Sequence, residues 1–216
     1  MISTLISTQS VLLRGLLAAA LCLGLAAPAL AADASAPELL IRQLSMETLE
    51  AVKADKSIQT GDVQKIIALV DAKVMPHINF QRMTASAVGR FWRQATPDQQ
   101  KRLQEEFKTL LVRTYAGALR EVKDQTIALK PVRASAEDTE VVVRTEIRGK
   151  GEPIQLDYRL ERLGPVWKIY DVNVLGIWLA DQYKNSFAQE IGANGIDGLI
   201  KTLAERNLKA AAPAKS

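Results

Sequence analysis

The sequence predicts an α+β domain in which a twisted four-stranded antiparallel sheet is wrapped by helices. Three observations carry that class. Apolar residues recur at helical spacing from Ser35 to about Val122, the period drops to two between Thr126 and Val174, and helical spacing returns from about Ile177. Alternation gives the sheet one oily and one charged face, and an oily face in water needs a layer of helices over it. The stretches meet without a Pro/Gly/Ser linker, so the chain is expected to form one domain after its first thirty-one residues.

Taken in order, Ser35 caps a first helix with Pro37 in its first turn, and Leu40, Leu44 and Val52 continue it to about Asp55. Asp62 caps a second, running through Ile66, Ile67 and Val70 to about Met75, and Asn79 starts a short third. Thr96-Pro97-Asp98-Gln99 is the strongest start signal: Thr96 accepts from the third amide, Pro97 suits the first position, and Gln99 reaches back. That helix runs to about Val122, with Leu103, Phe107, Leu110, Leu111, Thr114, Tyr115 and Ala118 on one stripe. The first strand spans about Ile127 to Val132. The second, Glu140 to Arg148, sets Val141, Val143, Thr145 and Ile147 against Arg144, Glu146 and Arg148. The third sets Ile154, Leu156, Tyr158 and Leu160 against Gln155, Asp157, Arg159 and Glu161, and the fourth runs from Val166 to Val174. Turns at Gly149 to Glu152 and Leu163-Gly164-Pro165 make the order a meander. Helices from about Ile177 to Ile191 and Asp197 to Asn207 close the chain, with a frayed tail from about residue 208.

Met1 to Ala31 reads as an export signal. It pairs Arg14 with an apolar run, Gly15 to Ala27, that is shorter than the roughly 20 residues a membrane span needs, and it ends in Ala29-Leu30-Ala31. Cleavage is expected after Ala31. Leu21 before Cys22 argues against a lipoprotein, where a small residue is required. The mature chain then has no cysteine, since Cys22 is the only one, which removes disulfides, thiol chemistry and cysteine-bound metals.

Charge narrows the function further. The chain has 28 Lys and Arg against 24 Asp and Glu, and losing Arg14 with the signal lowers the net charge from +4 to about +3. These cations are scattered and aromatic residues are only 5% of the chain, so neither the basic face nor the stacking platform of a nucleic-acid binder is present. A weak positive field still favours an anionic partner such as a membrane surface or phosphate head group. No glycine-rich phosphate loop occurs; Gly149-Lys150-Gly151 reads as a turn.

From the residues alone two arrangements stay open: the oily faces pack on each other, or they enclose an apolar cavity. A sheet wrapped by helices also suits a cone-shaped isomerase or dehydratase with a buried Asp as base. Asp157 falls on the outward face by alternation, while Asp171 shares a face with Trp167 and Ile169 and is the one candidate for burial. His77 is the sole histidine, so no zinc site or Ser-His-Asp arrangement has a second one to draw on, and it reads as a structural residue at the start of a helix. With no converging nucleophile, base and orienter, the chain is read as a non-enzyme without a cofactor or metal. A docking module that carries nothing is the third alternative.

Four blocks in fixed order bring in a resemblance. They are Val74-Met75-Pro76-His77-Ile78-Asn79-Phe80 with Arg82-Met83; Gly89 and Trp92 into Ala95-Thr96-Pro97-Asp98-Gln99 and on through Phe107, Leu110, Leu111, Thr114 and Tyr115; Asp157-Tyr158-Arg159 with Trp167-Lys168-Ile169-Tyr170-Asp171-Val172 and Gly176; and Tyr183 and Phe187 followed by Gly195-Ile196-Asp197-Gly198-Leu199. Together, from about Val74 to Leu203, they resemble the toluene-tolerance family of exported phospholipid-binding proteins. Two positions depart from it: Lys184 stands where many relatives have arginine, and Ile177-Trp178 replaces a pair that often contains serine.

The resemblance implies a cone-shaped, NTF2-like sheet with extra helices and an apolar cavity between sheet and helices. It also implies a periplasmic carrier of a Gram-negative bacterium in the lipid-asymmetry pathway. Its cargo would be a diacyl phospholipid. Its partners would be an inner-membrane ABC transporter complex with a lipid-binding ring and an outer-membrane lipoprotein–porin complex. The expected tail-binding residues are Phe80, Met83, Val88, Trp92, Phe107, Leu111, Tyr115, Val141, Val143, Ile147, Leu156, Tyr158, Leu160, Ile169 and Leu179. Two tails of roughly thirty methylenes lose more than about 20 kcal/mol on leaving a bilayer, at about 0.8 kcal/mol each, so a carrier must replace that environment almost completely.

Overall fold

The computed structural model describes residues 35–132, 135 and 137–210. The expected export signal and the chain beyond residue 210, where most of the expected frayed tail falls, lie outside the described residues. The helical first part comprises α1 (Ser35–Ala54), α2 (Lys56–Gln59), α3 (Val63–Leu69), α4 (Phe80–Val88) and α5 (Pro97–Tyr115). Their starts are fixed by side chains that satisfy otherwise orphaned amides. Asp55 accepts from Ser57 N at 2.8 Å, Asp62 from Gln64 and Lys65, and Asn79 from Arg82 N at 3.1 Å. The capping box at Thr96 is complete: Gln99 N donates to Thr96 Oγ1 at 3.2 Å, and Thr96 N to Gln99 Oε1 at 3.0 Å.

Where helices were expected to run on, the backbone changes pitch. The second helix loosens into a π turn over Val70–Val74 and tightens into a 3₁₀ turn at Met75–His77, and α5 continues as a 3₁₀ turn over Ala116–Glu121. At the other end of the chain, α6 (Leu179–Lys209) contains Gly195 at φ 71° and ψ −178°, which breaks it where the sequence separates two helices.

The sheet has five strands rather than the expected four: β1 (Thr126–Leu129), β2 (Glu140–Arg148), β3 (Ile154–Leu163), β4 (Val166–Val174) and β5 (Ile177–Trp178). They lie in chain order and every pairing is antiparallel. The fifth strand is two residues long, too short for alternation to reveal, and Ile177 and Trp178 had been read as the start of a helix. Cross-strand registers arrange the inner face in rows. Val141, Leu160 and Ile169 form one; Val143, Tyr158 and Val172 the next; Leu129, Thr145, Leu156, Val174 and Ile177 the third; Ile127, Ile147 and Ile154 the last.

One irregularity corrects the sequence reading. The β3–β4 register shifts between Arg159 and Leu160, so Arg159 faces Asp171 while Leu160 faces Ile169, and Tyr170 is the extra residue. Past a bulge the alternation resets. Asp171 therefore lies with Arg159 and Asp157 on the outer face instead of sharing a face with Trp167 and Ile169. Both aspartates are buried, including Asp157, which simple alternation left facing outward.

Three apolar cores hold the layers. Ile41 and Leu44 of α1 pack on Val141, Val143, Leu160 and Ile169. A helical core joins Phe80, Met83, Leu103, Phe107, Phe187 and Leu203 from α4, α5 and α6. Phe107 lies at its centre, edge-on to Tyr183 at 5.1 Å and to Phe187 at 5.3 Å, contacts worth about 0.5–1.5 kcal/mol each beyond buried area. A third core joins Val52 of α1 to Ile58, Ile66, Val112 and Ala116. No described helix is long and apolar enough to cross a membrane.

Candidate functional site

The inner face of the sheet is covered unevenly. Its first two rows are sealed by α1 and the helical layer, so that Val143 and Leu160 have no exposed surface. The last two rows are not. Ile147, Leu156 and Val174 are half-buried, and Ile154 and Ile177 are exposed. Burial also changes along the stripe of α5: Leu103 and Phe107 are buried, whereas Leu110, Leu111 and Tyr115 are half-buried. The helical core and the sheet core meet through Ile78 and Val172, the two residues that pack against both.

The fifteen residues expected to bind tails divide accordingly. Phe80, Met83, Val88 and Phe107 belong to the helical core, with Trp92 and Leu111 packed on it. Val141, Val143, Leu160 and Ile169 belong to the sheet core, with Tyr158 packed on it. Leu179 is buried at the start of α6. Tyr115, Ile147 and Leu156 are half-buried and belong to none of the three cores. Val174, outside the expected set, is likewise half-buried and belongs to none of the three cores.

Polar groups on this face are satisfied. Thr145 Oγ1 donates to Leu156 O at 2.8 Å, and the Tyr158 hydroxyl bonds with Ser45 and Thr145. Burial raises the Tyr158 hydroxyl above its ordinary value, and it raises that of Tyr115 too, so both stay protonated donors. Tyr115 Oη lies 3.4 Å from Gln182 Oε1, linking α5 to α6 beside the half-buried stripe.

The outer face holds the charges, and sequence reasoning missed how they assemble. Arg82 of α4 reaches over the sheet to Glu161 at 2.5 Å and Glu140 at 2.6 Å, with its guanidinium 3.6 Å from the centre of the Tyr170 ring. Arg159 bonds Asp171 at 3.1 Å, lies 4.0 Å from Asp181 and stacks 3.8 Å above Trp178. Between them is a cleft of about 480 Å³ lined by Arg82, Arg159, Tyr170, Asp171, Asp181 and Lys184. Arg82 and Arg159 each already face two carboxylates, so this cleft is internally neutralised rather than a strong anion site. Arg82, Arg159, Tyr170 and Asp171 were all among the residues carrying the resemblance, which was the one available signal.

That arrangement bears on catalysis. Asp171, only 2% exposed, accepts from Val172 N at 2.9 Å and Ala180 N at 3.2 Å through Oδ1, besides the Arg159 contact through Oδ2. It ties β4 to the first turn of α6. Neither Asp171 nor Asp157 faces the apolar rows, where the isomerase alternative would place its base. His77 sits in the 3₁₀ turn Met75–His77. Among the described residues no group of His, Cys, Asp or Glu has the arrangement to hold a metal.

An antiparallel sheet wrapped by helices, with its ion pairs on the outer face and one end of its apolar inner face partly uncovered, defines an α+β protein. The chain belongs to the MlaC family: residues 42–205 match the family described as MlaC protein. It is 30% identical over 195 residues to the toluene tolerance protein ttg2D of Pseudomonas putida, covering 90% of this chain and 88% of that one. It is 21% identical over 170 residues to the intermembrane phospholipid transport system binding protein MlaC of Haemophilus influenzae, covering 77% and 79% of the two. Among solved structures it resembles a phospholipid-binding protein from Ralstonia solanacearum in complex with a phospholipid. The TM-score is 0.77 at 47% identity, over 81% of this chain and 98% of that one.

Proposed function

We propose that the protein is an exported phospholipid carrier that holds the acyl tails of a diacyl lipid between sheet and helices. The half-covered inner face carries this reading: at one end of the sheet Ile147, Leu156 and Val174 are half-buried and belong to no core, and Ile154 and Ile177 are exposed. The 47% identity to a protein solved with a phospholipid supports the choice of ligand. Tails laid along Ile147, Leu156 and Val174 against Leu110, Leu111 and Tyr115 would leave the head group in solvent, so tail bulk is read more than head-group identity. Because the protein replaces the bilayer environment, loading is close to neutral and direction follows the partner that accepts the load.

Cleavage after Ala31 delivers the chain, from Ala32 on, to the periplasm of a Gram-negative bacterium. There it shuttles lipid between an outer-membrane lipoprotein–porin complex and an inner-membrane ABC transporter complex with a lipid-binding ring. That one relative is an intermembrane phospholipid transport system binding protein supports transport between two membranes. Leu156→Asp is the direct test, because Leu156 is half-buried and in no core, whereas Val143 is sealed and an aspartate there would cost folding. The reading predicts at least a tenfold loss of co-purified phospholipid with a near-normal yield of folded protein. Loss of fold and lipid together would make Leu156 ordinary core.

A further inference from the structure

The most strained described residue is also among the most exposed apolar ones. Leu175 is the sole non-glycine with positive φ among the described residues, at 53°, and it is 66% exposed. It sits with Gly176, at φ 90°, in the two-residue connection from β4 to β5, closed by the Val174–Ile177 pair. Positive φ at both central positions is the pattern of a type I′ turn, whose first position suits Asn or Asp and not a leucine. Two local rules are broken at once: a branched side chain occupies a left-handed conformation, and an apolar side chain points into water. The turn is nonetheless held firmly, by Leu175 N to Gln155 O at 3.1 Å and by Gly176 N to Asn173 Oδ1 at 2.8 Å.

Leu175 is not isolated. Ile177, 55% exposed, and Ile154, 41% exposed, stand beside it at the same end of the sheet. Ile177 continues the inner-face row of Val174 and Leu156, and Ile154 continues that of Ile147. The lip is therefore an outward extension of the apolar surface assigned to the tails. Cations stand at the same end of the sheet: Lys123 precedes β1, Arg148, paired with Glu146 at 2.9 Å, and Lys150 stand at the β2–β3 turn, and Lys53 reaches Gln125 O, against Asp124, Glu146 and Glu152. An apolar tip with a basic excess at its end of the sheet fits an anionic bilayer surface.

We infer that the lip formed by Leu175, Ile177 and Ile154 touches the surface of an anionic phospholipid bilayer, so that tails pass between membrane and carrier without crossing water. The inference rests on the carrier reading. The test uses the purified chain from Ala32 on and pyrene-labelled phosphatidylglycerol, moving between vesicles of phosphatidylethanolamine and phosphatidylglycerol with no partner protein present. The wild-type rate should rise in proportion to acceptor concentration and fall at least fivefold when phosphatidylglycerol is omitted from the acceptors. Leu175→Asn, which suits the turn and lies outside the tail-bearing rows, should lower the rate at least threefold while native mass spectrometry shows unchanged lipid occupancy. A variant that transfers at the wild-type rate overturns the inference. So does a wild-type rate indifferent to acceptor concentration, or a loaded wild type that transfers nothing between vesicles, which would leave the lip to a protein partner or a second copy. A wild type without phospholipid instead sinks the carrier reading itself.

Discussion

Two carboxylates of the outer face, Asp171 and Glu140, are shifted in opposite directions by their surroundings. Asp171 is pushed above the ordinary aspartate value of 3.8, chiefly by burial, with Arg159 and two backbone amides pulling the other way. Glu140 is held below 4.5, chiefly by its hydrogen bond from Arg82. A raised carboxylate binds more protons folded than unfolded, so its contribution falls as pH rises from about 3.8 through the folded value. A depressed one contributes stability above its unfolded value of about 4.5 and loses it as pH falls through the folded value. Relative to Asp171→Asn, the wild type should gain stability as pH drops toward 3.8. Relative to Glu140→Gln it should lose stability below 4.5. Urea melts of the three proteins from pH 3.5 to 7 would check both signs. Arg82→Ala leaves the buried Glu161 without its strongest partner and should cost about 1–3 kcal/mol in the same melts. The sequence announced both aspartates but placed Asp171 on the wrong face, because counting by twos has no way to register the extra residue Tyr170.

Elements were legible where one local rule decides them. Thr96-Pro97-Asp98-Gln99 contains every atom of its capping box, and the alternation from Glu140 to Arg148 matches the observed faces. Thr96→Ala should therefore cost about 1 kcal/mol by thermal or urea unfolding, the ordinary worth of an N-cap. Boundaries that depend on tertiary pairing were not legible. Ile177-Trp178 is a strand only because Asn173 and Val174 lie opposite it, and nothing in the dipeptide says so. Gly195 sits between these cases: it separates two helical patterns in sequence, and its φ of 71° with ψ near 180° belongs almost to glycine alone. A Cβ there would meet nothing within 4 Å, so Gly195→Ala is a purely torsional change. It should destabilise by about 1–3 kcal/mol without altering lipid occupancy.

At the scale of the whole molecule, the division of labour between the two sheet faces explains the fold. Ion pairs and aromatic–cation contacts lock the outer face to α4 and the start of α6, which leaves the inner face free to be apolar. At one end that face is consumed by the protein's own core; at the other it stays partly uncovered and runs out to the surface at Ile154 and Ile177. Sequence periodicity identified the apolar face but not this gradient. Val143 and Leu156 share the inner face in adjacent rows of adjacent strands, yet one is sealed and the other half open.

Native mass spectrometry of the purified chain from Ala32 onward, with organic extraction and identification of what is released, addresses the carrier account most directly. A diacyl phospholipid at about one per chain is the predicted result. A single ligand-free mass that persists after incubation with phospholipid vesicles would contradict it, and the uncovered rows of the sheet would then need another occupant.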